Sequence, residues 1–147
     1  MIGWYNEVVD DGDRVYILGD VAFSSNDMRS FVSRLKGRKC LIPGNHEPVK
    51  MRKYLDVFDD VRGYVQRQGF IMSHIPLHPG SLGRWKLNIH GHLHANSVKD
   101  FVKWNDGYEQ DFSKLPDDDR YFCACVERTN FRPILLDEIL KSRGLTG

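Results

Sequence analysis

Four short apolar runs, each ending in a turn that carries a metal-ligating side chain, constrain this chain more than any other feature. Arg14-Val15-Tyr16-Ile17-Leu18 runs into Gly19-Asp20, and Lys39-Cys40-Leu41-Ile42 into Pro43-Gly44-Asn45-His46. Gly69-Phe70-Ile71-Met72 leads to Ser73-His74, and Leu87-Asn88-Ile89 to His90-Gly91-His92-Leu93-His94. Short runs of β-branched and apolar residues bounded by Gly and Pro read as strands.

Between the first two strands, Met28, Phe31, Val32 and Leu35 fall at i, i+3, i+4 and i+7, one face of a helix. Ser24 or Ser25 caps its start, and Gly37 stands where a left-handed residue closes it. Pro48 suits the first turn of a second helix through about Phe58, with Tyr54, Leu55 and Phe58 inward. Tyr121 to Glu127 reads as a strand, and Leu135 to Arg143, closed by Gly144, as a final helix. Strands alternating with helices predict an α/β fold, and residues 1–147 suit a single domain. Val98 to Asp119 has no clean period and reads as a long connection flanking the mouth of a site. Its Asp117-Asp118-Asp119 run reads as a solvated loop rather than a cation site.

The formal charge of +1, from 21 basic and 20 acidic side chains, argues against a chain-wide surface for nucleic acid or anionic membrane. No run approaches the roughly 20 apolar residues that span a bilayer. Met1 to Asp13 is acidic, with Glu7, Asp10, Asp11 and Asp13 and no early basic cluster, unlike a secretory signal. Cys40, Cys123 and Cys125 make an odd count without framework spacing, which reads as reduced structural thiols in a cytoplasmic protein. Cys123 and Cys125 are expected on one face of their strand.

Ligand sites in open α/β sheets gather outside the carboxyl ends of the strands. Parallel strands would therefore bring Asp20, Asn45, His46, His74, His92 and His94 together. This mixture of oxygen and nitrogen donors suits a divalent Mn, Fe, Zn or Ni ion. His92 and His94 are two apart, so an extended backbone aims both to one side. Gly19, Gly44 and Gly91 each precede a ligand or near-ligand and allow tight turns. Singly, each of these features is an ordinary turn or a packed histidine. Four of the six histidines in one repeated strand-then-ligand context make a site.

Gly19-Asp20, Gly44-Asn45-His46-Glu47, the isolated His74 and Gly91-His92-Leu93-His94 resemble, in that order, the motifs of the calcineurin-like metallophosphoesterase family. The resemblance runs from Trp4 onward. The stretch Val126-Glu127-Arg128-Thr129-Asn130-Phe131-Arg132-Pro133, with Leu136-Asp137-Glu138-Ile139, is similar to the close of small bacterial and bacteriophage members. The resemblance implies a four-layer α/β/β/α sandwich and hydrolysis of a phosphomonoester or phosphodiester at a dimetal centre. It implies that Asp20 bridges two ions, that Asn45, His74 and His92 complete the second ion's ligands, and that His94 binds the first. His46 would be catalytic, stabilising the transition state or protonating the leaving oxygen, so that Asn45 and His46 both meet the substrate. Mn is the expected ion, with Fe, Zn and Ni open. Two such ions activate water for in-line attack on phosphorus without a covalent enzyme intermediate.

The family pattern opens on a strand ending in Asp-x-His, which supplies two ligands of the first ion, and this chain holds no Asp-x-His. Met1 to Val9, with Ile2, Tyr5 and Val8 or Val9 on one face, looks like the back half of the helix that follows that strand. The first strand is thus expected to be absent, a piece on the order of 25 residues. Two unpaired sheet edges would then be exposed, and one ion would bind rather than two. Three origins stay open: a natural start further upstream, a homo-oligomer that covers the edge, or a decayed copy serving as a metal-binding interaction module. Asp10, Asp11 and Asp13 precede the first strand, about 15 Å or more from its Asp20 end at ~3.3 Å per residue, so they are no substitute. His90 reads as packed under its turn, and His78 as a surface-loop residue. The substrate is open among nucleotides, nucleic acid and phosphoprotein. Trp85, Trp104 and Tyr108 are rim or packing aromatics, and Arg62, Arg67, Arg84 and Lys86 a solvated basic scatter.

Overall fold

The strands divide into two sheets. β1 (Arg14–Ile17), β2 (Arg38–Leu41) and β3 (Asp60–Val61) form a parallel sheet in that order. β4 (Val65–Arg67), β5 (Phe70–Ser73), β6 (Leu87–His90) and β7 (Tyr121–Cys123) form the other, in which only β4 runs antiparallel to its neighbour. The structure is a computed structural model and describes residues 2–21, 24–46, 50–100 and 114–145. Its mixture of helices with parallel and mixed sheets is the expected α/β fold.

Alternation along the strands sets the layers. Cys40 of β2, and Ile42 just beyond it, meet Val65, Phe70, Met72, Leu87 and Ile89 in a core between the sheets. Ile139 and Leu140 of α3 (Leu136–Ser142) enter the same core. The intervening Leu41 points the other way, onto Met28, Val32, Tyr54 and Phe58. Ile71 and Tyr121 likewise leave the central core and pack with Leu82 on the outer face of the second sheet. A period of two thus commits neighbouring residues of one strand to different cores.

α2 (Ser25–Val32) buries Met28 and Val32, as its period requires, and Ser24 supplies the N-cap, accepting from the Asp27 N–H at 3.1 Å. Gly37 is left-handed, φ +80, but at the entry to β2, because the helix has already stopped at Val32. The expected second helix is a 3-10 helix, Met51–Asp56, and Pro48 lies outside the described residues. Three residues per turn carry Tyr54 and Val57 inward together, while Leu55, expected inside, is 61% exposed. α1 (Ile2–Asn6) is tied down by Tyr5 Oη donating to Lys36 O at 3.0 Å and by Asn6 Nδ2 donating to Arg34 O at 2.9 Å. Val9 is buried while Val8 is not.

β7 stops at Cys123, short of the expected Glu127, and the chain turns into a 3-10 helix, Val126–Arg128. Cys123 and Cys125 therefore do not share a strand face. All three cysteines are free thiols, and burial pushes that of Cys125 up to about 12. The aspartate run is only partly solvated. Asp118 is buried and takes both Arg120 Nε and Nη2, at 2.9 and 2.6 Å, while Asp117 accepts from Ser97 and Lys99. An antiparallel bridge, Lys99 to Asp117, closes the long connection. Residues 101–113, with Trp104 and Tyr108, lie outside the described residues. Among the described residues no helix is long and apolar enough to cross a membrane.

Candidate metal centre

Both parallel pairs end in register, Ile17 beside Leu41 and Ser73 beside His90, so the four ligand-bearing turns leave carboxyl ends of strands. Two sheets supply them, not one. What joins the sheets at this end is close backbone approach. A Cβ on Gly91 would lie 2.7 Å from Leu18 O, and one on Gly19 only 2.4 Å from Gly44 N and 2.5 Å from His74 Nδ1. Gly19 also has φ +83, so glycine is required there twice over.

Asp20, His74 and His92 each place a ligand atom within 4.8 Å of the others'. His74 Nε2 lies 2.9 Å from Asn45 Oδ1 and 3.3 Å from Asp20 Oδ2. On the other side of that ring, Nδ1 lies 2.6 Å from Leu18 O. A carbonyl only accepts, so Nδ1 carries the proton, and a neutral His74 turns the lone pair of Nε2 toward two oxygens. Three electron-rich atoms then face one another. A cation among them resolves the repulsion, as does a turned Asn45 amide that presents its Nδ2 to His74. The His92 ring stands edge-on to His74, centroids 5.1 Å apart. His46 contributes its backbone, donating its N–H to Asp20 Oδ1 at 3.0 Å. One carboxylate, two imidazoles and an amide oxygen fit Mn, Fe, Zn or Ni. His74 is buried, His92 half-buried and Asp20 exposed, so the cluster opens to solvent on the carboxylate side.

The backbone is unusual at the same place. Asp20, His92 and His94 have φ of +52, +67 and +53, in the left-handed region that non-glycine residues seldom enter. Such conformations cost on the order of 1–3 kcal/mol and gather at functional sites. They also separate His92 from His94, since the extended backbone expected to aim both one way is replaced by a tight turn. His94 is not in the cluster. Its ring is exposed, with Nδ1 3.0 Å from Glu127 Oε1, and that hydrogen bond holds the Glu127 carboxyl below its usual range.

Other candidates fall where packing puts them. His90 is fully buried under the turn, Nδ1 2.7 Å from Gly91 O, and burial lowers its pKa. His78 is a surface residue whose Nδ1 caps the Gly80 N–H at 3.1 Å. Arg84 stacks over Trp85 and Arg62 pairs with Asp60 at 2.6 Å. Two supporting groups escaped the sequence reading. Glu127 is far along the chain from His94, with no spacing to link them. Asn88, fully buried, accepts from Leu77 N at 2.8 Å and donates to Ser73 Oγ at 2.9 Å, fixing the end of β5 where His74 begins. A polar residue inside an apolar strand run was its one signal.

No profile of a known protein family matches the chain. The crystal structure of a protein of unknown function, AQ665 from Aquifex aeolicus, matches it with a TM-score of 0.64 and 25% identity, over 96% of this chain and 82% of that one. An uncharacterized protein of Methanocaldococcus jannaschii, MJ1445, is 30% identical over 142 residues, 93% of this chain and 69% of its own length. The chain belongs to the same family as MJ1445.

Proposed function

We propose that this chain is a metal-dependent phosphoesterase of the calcineurin-like kind, hydrolysing a phosphomonoester or phosphodiester. The observation that carries the reading is the convergence of Asp20, His74 and His92, with Asn45 beside them, at strand ends drawn from two sheets. The four-layer sandwich belongs to the same proposal, supported by a helix-covered sheet packed on a second sheet.

Asp20, Asn45, His74 and His92 would hold a divalent ion, Mn being the first to try. Such an ion supplies Lewis-acid activation of the phosphoryl group and of water. Asp20 is oriented by the His46 N–H and His74 by Leu18 O, so the ligands are aimed before an ion arrives. His46, exposed and joined to Asp20 through its backbone N–H, would bind the phosphate or protonate the leaving oxygen.

Assay of a chromogenic phosphodiester and monoester, with and without Mn, tests this beside an Asn45→Ala variant purified identically. Turnover that needs Mn and falls at least tenfold in the variant supports the reading. Equal rates in both would sink it. The pairing of His94 with Glu127 favours a second reading, a one-ion site serving metal binding or interaction rather than catalysis. One bound Mn per chain by equilibrium dialysis, with no turnover, would establish that alternative.

A further inference from the structure

His90 Nε2 and Arg143 Nε are buried polar atoms with no hydrogen-bond partner among the described residues. Both residues line one cavity of about 120 Å³ beside β6 and β7, with Tyr121, Asp117, Asp118 and Arg128. Buried polar atoms left without partners are rare, and two in one cavity call for an occupant.

The two atoms are complementary. His90 Nδ1 lies against Gly91 O, so it bears the proton and Nε2 of the neutral ring is an acceptor. Arg143 Nε–H is a donor whose neighbouring Nη1 and Nη2 already bond Asp119 Oδ1 at 3.1 Å and Tyr121 O at 3.2 Å. An ion is a poor occupant. Arg128 and Arg143 offset Asp117 and Asp118, and both carboxylates already accept from Lys99 and Arg120. A neutral molecule that both accepts and donates is what remains. Water has a share of about 30 Å³ in the liquid, so the cavity has room for a small cluster.

We propose that this cavity is a hydration site, with water accepting from Arg143 Nε–H and donating to His90 Nε2. His90 then acts as a positioning residue. With Nε2 satisfied by water, its Nδ1–H stays on Gly91 O and braces from beneath the turn that carries His92. The chain's end thereby supports the ligand turn: α3 through Arg143, water, His90 and Gly91. The hydration stands by itself, whereas its effect on metal rests on the metal centre proposed above.

A crystal structure that resolves ordered water is the direct test, and water bonded to both atoms is the expected result. A dry cavity, a bound ion, or direct contact between His90 and Arg143 would overturn the proposal. For positioning, amide hydrogen exchange at residues 91–94 and Mn affinity by calorimetry are compared in the wild type and His90→Phe. Exchange at the turn is expected to quicken, and Mn to bind roughly tenfold more weakly, the low end of the usual effect of outer-shell partners. Unchanged exchange overturns the positioning role. Should the wild type bind no Mn, the metal centre fails while the exchange result still decides this inference. Arg143→Met, which removes the donor from an outer helix end, serves if His90→Phe does not fold.

Discussion

The Nδ1–H of His74 donates to the carbonyl oxygen of Leu18 at 2.6 Å, a bond from one sheet to the other. It fixes which nitrogen faces Asp20 and Asn45, and it ties the first sheet's ligand turn to the second's. Replacement of His74 by Ala removes a donor atom and this tie together. Calorimetric titration with Mn is expected to show at least a tenfold loss of affinity, about 1.4 kcal/mol. Unaltered affinity would place the ion elsewhere.

Gly19 stands where a side chain meets both backbone strain and Gly44. Gly19→Ala is expected to lower stability by more than about 2 kcal/mol, since left-handed φ alone costs an alanine roughly 1–2 kcal/mol. Gly63, with open space for 4 Å around where a Cβ would sit, is the control. Gly63→Ala should lie within about 0.5 kcal/mol of the wild type. Urea unfolding of the two variants measures the difference.

Tyr54 and Leu55 are neighbours with opposite fates. Tyr54 is fully buried on Met28, Val32 and Phe58, while Leu55 is mostly exposed. Truncating an aromatic in such a core costs about 3–5 kcal/mol, so Tyr54→Ala should shift the unfolding midpoint strongly. Leu55→Ala should shift it by no more than about 0.5 kcal/mol. A regular helix with both residues inward would make both variants costly.

The hydrogen bond from Lys99, then that from Ser97, lowers the Asp117 pKa. Its folded-state value lies below its unfolded value, so the unfolded chain takes up the proton first as pH falls. The stability the pair contributes is therefore present above the ordinary carboxylate pKa of about 3.9 and is lost as pH drops through the lower folded value. Because Asp117 is half exposed, the contribution is small, within about 1 kcal/mol. Asp117→Asn should unfold at lower urea than the wild type at pH 7, and the gap should close in acid. A gap that widened in acid would contradict the assignment.

Much of the strand arrangement was legible because alternation and turn chemistry are local. Arg14, Arg38, Phe70 and Leu87 open strands close to where the apolar runs begin, and Asp20, His74 and His92 meet as the pattern of strand ends implies. Leu55 was misread because the same residues at three per turn, instead of 3.6, present a different face. Asp118 was misread because a carboxylate's burial depends on whether a guanidinium reaches it, here that of Arg120.

The sequence by itself determined which residues stand at the ends of strands, since a side-chain period of two and a glycine that admits positive φ need no distant partner. Only the tertiary structure decided which of them meet. His92 and His94 are two apart in sequence, yet left-handed turns send one to His74 and the other to Glu127. Glu127, Leu18 O, Asn88 and the cavity between His90 and Arg143 depend on how two sheets and a terminal helix pack, and contacts across such separations leave no local mark in the chain.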